Sequence, residues 1–470
     1  MAEILVLGAG LTGLTTAMLL ARDGHDVTVL ERDAADPPAG ASEGSAWTGW
    51  HRAGVAQFHQ LHLMLPRWRE VMETELPSVL DALRAAGGLD HNALHHRPVA
   101  QTGGWQPGDE RFGLVTARRP VLEAAVAAAA SCPGLLIRRG VAVTGLLTSA
   151  DGGAVPRVVG VTTAAGDVRA ELVVDAGGRR STVPRWIVEA GGRPPVDERA
   201  DSGFVYYGRH YRGTLPAGVD SMQTHYDSVS LLTLPADNGT WGVGIATSSR
   251  DHALRALRHV PCWEAAMRCY PATVGWIDAE PITGVSVMAG IEDRQRQLVV
   301  DSVPVVTGLV AVGDAWASTN PSLGRGASIG AMHACVLRDV VAKEGTGDPE
   351  TLVLRFAAET AATVSPYVDS TLSFDRHRLA EIEADVARVP YEPADPAWAM
   401  TRALTAGGRE DPVVARALAA IASAQALPAE LLSDGAVRGR VAGFLGRPHY
   451  APGADRTELL AAVRGAERSR

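Results

Sequence analysis

The strongest constraint on this chain lies in its first 31 residues. An apolar run, Ile4-Leu5-Val6-Leu7, leads straight into Gly8-Ala9-Gly10-Leu11-Thr12-Gly13, which opens a helical pattern over 11–23. A second apolar run over 26–30 ends in Glu31-Arg32. Strand, glycine turn, helix and a second strand closed by an acid describe a dinucleotide-binding βαβ unit. The acid stands about 20 residues past the turn, as such units require. Gly8 permits the tight turn, Gly10 lets the backbone approach a pyrophosphate, and Gly13 lets the helix pack on the strand. Leu11 and Thr12 begin the helix, so their amides and the positive dipole end face the phosphates. Glu31 is placed to accept hydrogen bonds from ribose hydroxyls, with Arg32 beside it. The competing reading is a purely structural glycine turn.

Two later segments decide between nicotinamide and flavin dinucleotides. Leu172-Val173-Val174-Asp175-Ala176-Gly177-Gly178 is an apolar strand ending in an acid and a glycine turn. Leu309-Val310-Ala311-Val312-Gly313-Asp314 is another, continuing through Pro321-Ser322-Leu323-Gly324-Arg325-Gly326-Ala327 into a helix that reaches about Lys343. In this order the motifs resemble those of the group A flavoprotein monooxygenases, the para-hydroxybenzoate hydroxylase-like proteins. The resemblance covers residues 1–345 and implies an α/β fold: a glutathione-reductase-like Rossmann FAD domain, an inserted mixed or antiparallel sheet domain and a C-terminal helical region. It implies FAD as cofactor, with Gly313 and Asp314 at the ribityl chain and the backbone after Pro321 along the isoalloxazine. Gly324 and Gly326 would let a planar ring approach, and the helix that follows would aim free amides at the charge on a reduced flavin. Arg119, in Arg119-Pro120-Val121-Leu122-Glu123, matches the family's helix start and is implied at the phosphates or ribityl chain; a solvated helix cap competes. Asp175 is read both as part of the second motif and as an N-cap for a helix over 182–190.

The segment from Arg52 to His62 looks like its counterpart in the flavin epoxidases of polyketide and polyether pathways, which are similar to squalene epoxidase. It keeps Arg52, Gly54, Val55, Gln57 and His62, with Gln60 in place of a histidine. Arg52 is expected at the phosphates. His62 either faces the ring or is a satisfied core residue, the commoner fate of a lone histidine. Three departures stand out: Ala176 separates Asp175 from Gly177, Ala317 replaces a histidine, and Ser328 stands where asparagine is usual. The first puts direct reduction by NADPH in doubt. Trp316 reads equally as flavin-site lining and as packing.

The resemblance implies a monooxygenase that epoxidises or hydroxylates a mainly apolar natural product through a flavin C4a-hydroperoxide. Such chemistry needs no side-chain base, and none is assigned. With no second GxGxxG turn, electrons are expected from transiently docked NAD(P)H or from a separate flavin reductase. Trp47, Tyr207, Tyr211 and Tyr226 join His62 as substrate-contact candidates. Phe204 and Tyr206 share one strand face, and Tyr207 and Tyr211 the other if the strand is regular. Three rivals stand beside this reading. A flavin oxidase or dehydrogenase is the main one. A halogenase requires a lysine in the first half, whereas the sole lysine is Lys343. A cofactor-free relative of the Rab GDP-dissociation inhibitors would not need Asp314 and the turn after Pro321.

Composition narrows the setting. The chain has 470 residues, room for about three structural units, arranged as 1–195 (with inserted helices over 57–87), 196–300, 301–345 and 346–470. A helical pattern over 57–86 is broken near Pro66 and Pro77; further β-type runs lie at 134–138, 141–148 and 157–163, and 34–46 reads as a loop. The last region is helical and motif-free: a dimer arm, a lid, or packing against the first domain. A net charge of −9 without a basic stretch argues against nucleic acid. No apolar run of about 18 residues and no signal-peptide pattern is visible, so a cytoplasmic location without a membrane span is expected. Cys132, Cys262, Cys269 and Cys335 form no CxxC pair or metal-ligand spacing, and no metal is expected.

Overall fold

The computed structural model describes residues 1–38, 45–95, 97–150, 153–216 and 222–469. Of the expected loop over 34–46, residues 39–44 lie outside this description, and Ser45–Gly49 forms a short helix. Five parallel strands make one sheet in the order Leu309–Ala311, Leu172–Asp175, Glu3–Leu7, Asp26–Glu31, Leu135–Arg139. Strands Glu3–Leu7, Leu172–Asp175 and Leu309–Ala311 read as near-continuous apolar runs because both sheet faces are covered there, whereas strand Leu135–Arg139, at one edge, leaves Leu136 exposed. Ile4 and Val6 pack with Leu14 and Met18 of helix Leu11–Arg22 and with Leu337 of helix Gly326–Glu344. Leu5 and Leu7 pack on the other side with Val183, Trp186 and Ile187. Register sets Leu7 beside both Leu30 and Asp175, and Asp175 beside Ala311, so the carboxyl ends align along one edge. That edge is where open α/β sheets bind ligands.

A second sheet stands over this edge. Strands Gln223–His225, Ser230–Pro235, Thr240–Ser248 and Phe204–Arg212 pair antiparallel in that order. The last two run in unbroken register from Phe204↔Ser248 to Arg212↔Thr240. Regular alternation therefore holds. Phe204 and Tyr206 turn to one face with Ile291 and Ile382, whereas Tyr207 and Tyr211 turn to the other with Trp241, Trp263 and Ile245.

The expected helix over 57–86 begins only at residue 66. Helices Pro66–Glu75 and Pro77–Ala85 each start with proline, which fits a first turn because it needs no amide donor there. Residues 57–65 instead run as turns and extended chain between the two sheets. Leu61 fixes their path. It nests in a dent floored by Gly208, Gly242 and Gly244, where a Cβ would come within 2.9, 2.3 and 2.5 Å of its side chain. A buried pair ties the sheets together: the Arg118 guanidinium and backbone amide both donate to Asp237, with Nη2 to Oδ2 at 2.6 Å.

The tail packs against both parts of the fold. Helix Ser365–Ala387 sets Tyr367 and Val368 against Ala315 and Ile329, and Ile382 against Phe204 and Tyr206. Helix Arg456–Arg468 sinks Leu459 and Val463 into the core beneath the antiparallel sheet. Burying such side chains stabilises by about 1.5–3 kcal/mol each. No helix among the described residues is long and apolar enough to cross a membrane.

Candidate functional site

The three glycine turns meet. Gly8 has φ +107°, and a Cβ there would stand 2.8 Å from the Ala176 carbonyl oxygen. A Cβ on Gly13 would lie 2.0 Å from the Gly8 oxygen and 3.2 Å from the Ala176 side chain. Thr12 fills the space beside Gly313 and Gly330, which brings the return turn and its helix to the same point. Backbone bonds from the Gly8 amide to Leu30 (2.8 Å), Ala176 to Leu7 (3.0 Å) and Val312 to Asp175 (2.9 Å) extend the strand ends into these turns.

Together the turns line one side of a cavity of about 2020 Å³. Gly8, Gly10, Leu11, Thr12, Gly13, Glu31, Arg32, Arg52, Arg119, Asp175, Asp314, Pro321, Gly324, Gly326 and Ala327 all border it; Gly313 lies just behind. A side chain on Gly10 would meet nothing within 4 Å, so the backbone there is open to a ligand. Helices Leu11–Arg22 and Gly326–Glu344 start without a side-chain cap, leaving first-turn amides for a ligand.

The acids behave differently from one another. Glu31 accepts from the Ala9 amide (2.9 Å), the Asp33 amide (3.0 Å) and Arg52. Arg52 has four of its five N–H donors engaged: besides Glu31 it donates to Glu123 (2.6 Å), to the Ala9 carbonyl (3.2 Å) and to Asp33 (3.3 Å). Arg52 borders the cavity at the side where the resemblance sets the phosphates. Three carboxylates and a carbonyl take four of its donors, and it orients Glu31. Burial lowers the charge-holding of Arg52, but Glu123 and Glu31 outweigh this and raise its pKa. Asp175 is not a helix N-cap, since Thr182 precedes helix Val183–Glu189. It braces its own turn, accepting from the Gly177 amide (2.9 Å) and the Ser181 hydroxyl (2.6 Å). Among the described residues, no hydrogen bond engages the Asp314 carboxylate, which borders the cavity. Burial raises its pKa, opposed by Arg119 and Arg179.

Arg119 donates to Glu123 at 2.6 Å and meets His62 Nε2 at 3.5 Å. His62 lines the cavity. Burial and Arg119 push its pKa down to about 3, so it is neutral and its Nε2 accepts. Of the other substrate-contact candidates, Tyr226 lines the cavity and Trp47, Tyr207 and Tyr211 do not. Trp47 lies under the Arg118 guanidinium and against His59 and His210. Tyr207 and Tyr211 point into the core on the far side of their strand, and Tyr206 is the tyrosine of that strand that faces the cavity. Trp316 packs edge-on to His333 outside the lining.

The opposite wall comes largely from residues without a sequence motif. Leu232, His225 and Tyr226 of the sheet region face Phe374, His377 and Trp398 of the C-terminal helices. His377 stacks on Trp398 with ring centroids 4.7 Å apart, and its nitrogens meet Tyr391 Oη at 2.7 Å and Asp395 Oδ2 at 3.0 Å. No group of acids, histidines and cysteines among the described residues is arranged to hold a metal.

Bare backbone at Gly10, two uncapped helix starts and an unengaged carboxylate at Asp314 fit a flavin dinucleotide. The chain matches the family described as FAD dependent oxidoreductase (DAO) over residues 3–106. The chain is an FAD-dependent oxidoreductase. Its relative Protein Rv3254 of Mycobacterium tuberculosis is 27% identical over 395 residues, 77% of each chain. Among solved structures, flavin-dependent brominase Bmp2 superposes with a TM-score of 0.62 at 14% identity, covering 94% of this chain and 98% of that one. OxyS anhydrotetracycline hydroxylase from Streptomyces rimosus gives 0.55 at 19% identity, covering 91% and 76%. Such distant likeness establishes a shared fold and leaves the reaction to the site.

Proposed function

We propose that this chain is an FAD-dependent monooxygenase that epoxidises or hydroxylates a mainly apolar small molecule of natural-product type. The observation that carries this reading is one continuous cavity of about 2020 Å³, walled by the glycine turns on one side and by an aromatic lobe on the other. Typical ligand pockets span about 300–1,000 Å³, so a dinucleotide and a second sizeable molecule have room together. Gly10 and the two helix starts would hold the phosphates and the ring edge, Asp314 the ribityl hydroxyls, and Glu31, oriented by Arg52, the ribose. The bound flavin supplies the oxygen chemistry. The protein's part is to align the substrate between Tyr206, Tyr226, Phe374 and Trp398 and to exclude water. Neutral His62 and His225, each held to about 3 chiefly by burial, add no positive charge of their own to the cavity wall.

Halogen transfer is disfavoured, because Lys343 is exposed near the end of helix Gly326–Glu344 and does not border the cavity. The test is to mix reduced holoprotein with oxygen in a stopped-flow spectrometer, with NADH, NADPH or a separate flavin reductase as electron source. A transient absorbance distinct from reduced and oxidised flavin, with label from ¹⁸O₂ entering product, is expected. Direct reoxidation with stoichiometric hydrogen peroxide and no label in product would instead make the chain an oxidase or dehydrogenase.

A further inference from the structure

Buried polar atoms normally find partners. Here several that do not are gathered in one place. Asn320 Nδ2, Ser322 Oγ and Arg325 Nε, all on the turn around Pro321–Gly326, are buried without a hydrogen bond, as are both carboxylate oxygens of Asp375. Asp375 belongs to helix Ser365–Ala387 and is 3% exposed. It stands behind the turn, outside the cavity, whereas Asn320 and Ser322 border the cavity itself. The turn is otherwise well anchored. Tyr206 donates to Asn320 Oδ1 at 3.0 Å, and the Asn320 amide donates to Asp293 Oδ1 at 2.6 Å.

The charges around Asp375 do not favour its ionised form. Burial pushes its pKa up to about 7; Asp293 pushes the same way, while Ser322, Asn320 and Arg325 oppose. Ser322 and Asn320 lie near enough to favour the charge, yet not in the geometry of a closed hydrogen bond. Arg325 is no free counter-ion, because its terminal nitrogens donate to the Tyr367 and Ile421 carbonyls and to Ser370 and Thr371. Tyr206 and Tyr367 complete the titratable groups facing this point. A neutral acid, by contrast, has one donor to give and still accepts, so it can donate to Ser322 Oγ while accepting from Asn320 Nδ2, the atoms left without partners.

We propose that Asp375 is a positioning acid for the flavin: neutral, it donates a hydrogen bond into the Asn320–Ser322 turn; ionised, it places a negative charge behind that turn and makes reduction of the bound flavin less favourable. The inference rests on the reading that this turn borders the flavin ring. Its proton is lost to solvent, and no electrons are exchanged with the side chain.

The experiment is a dithionite titration of holoprotein against a reference dye, from pH 6 to 8.5, for wild type, Asp375→Asn and Asp293→Asn. At a fixed potential, the reduced-to-oxidised ratio of wild type should fall on the order of tenfold further across this range than that of Asp375→Asn. That corresponds to about 30 mV for a two-electron couple. Asp293→Asn, which removes a like charge beside Asp375, should keep the size of the wild-type response and shift it to lower pH. Parallel curves for wild type and Asp375→Asn overturn the proposal, as does loss of the response in Asp293→Asn alone. If Asp375→Asn does not fold, infrared spectra of wild type decide: a protonated-carboxyl band present at pH 6 and gone by pH 8.5 supports it, and no such band overturns it. Asp375→Asn that stays yellow with an unchanged response sinks this inference alone, whereas a wild type that binds no FAD sinks the reading of the site as well.

Discussion

Replacing Arg52 with methionine distinguishes a residue that organises carboxylates from one that binds phosphate. Its side chain is 5% exposed, with Glu31 at 5% and Glu123 at 3%. Methionine fills most of the volume but leaves two buried carboxylates close together without the cation that joins them. Removing one partner of a buried pair costs about 3–5 kcal/mol, because the remaining charge stays desolvated. Asp33, at 19% exposure, is screened by water and adds little. If all 470 residues melt as one unit, that loss lowers the melting temperature by roughly 3–5 °C. The assay is thermal denaturation of the FAD-free protein by circular dichroism at pH 7, followed by FAD titration. Arg52→Met should melt lower before any cofactor is added, and Arg52→Met/Glu123→Gln should recover at least half of the loss. An apo variant that melts like wild type yet binds FAD poorly would refute the argument and return Arg52 to the phosphates.

Other outcomes follow from the same geometry. Asp314→Ala should weaken FAD about 10–100-fold, the worth of a charge-assisted hydrogen bond, without lowering the melting point of the apo protein; equilibrium dialysis and a melt check both. Tyr206→Phe, which removes the hydroxyl bonded to Asn320 at 3.0 Å, should change turnover or the flavin spectrum, whereas Tyr207→Phe on the core face should change neither. Asp375 holds its proton more tightly folded than unfolded, with a pKa pushed up to about 7 from 3.8. Its contribution to stability is therefore full below about pH 4 and is lost as pH rises through about 7, a few kcal/mol in order of magnitude. Apo Asp375→Asn should show a flatter stability profile than wild type across that interval in urea melts, and identical slopes would refute the assignment.

The parts of this molecule that could be read from sequence are those in which a short stretch must satisfy a backbone requirement by itself. Gly13 is such a case: the 2.0 Å approach to the Gly8 oxygen excludes every other residue, and an apolar run before the turn marks the strand. Three turns of this kind, with the parallel strands before them, were legible. Tyr207 and Tyr211 show where legibility stops. Alternation correctly groups them on one face, but both faces of that strand are buried, and nothing local tells which face meets a core and which a cavity. Arg52 shows a second limit. Its place near the cofactor side was readable, but its partners Glu31 and Glu123 come from 21 and 71 residues away, and pairing in space decides whether a guanidinium is free. For His62 the helical spacing around it leaves a ring-facing and a core reading open; Leu61, seated on three glycines of another sheet, holds the segment out of a helix, and the histidine lines the cavity. Phe374, His377 and Trp398 carried no signal at all, since a helix face that lines a cavity and one that packs on a neighbour need the same spacing. The cofactor half of such a site is dictated by backbone chemistry common to every ligand-bound copy of the turn. The substrate half is dictated by which helices happen to close over it, so its residues emerge only when the chain is folded.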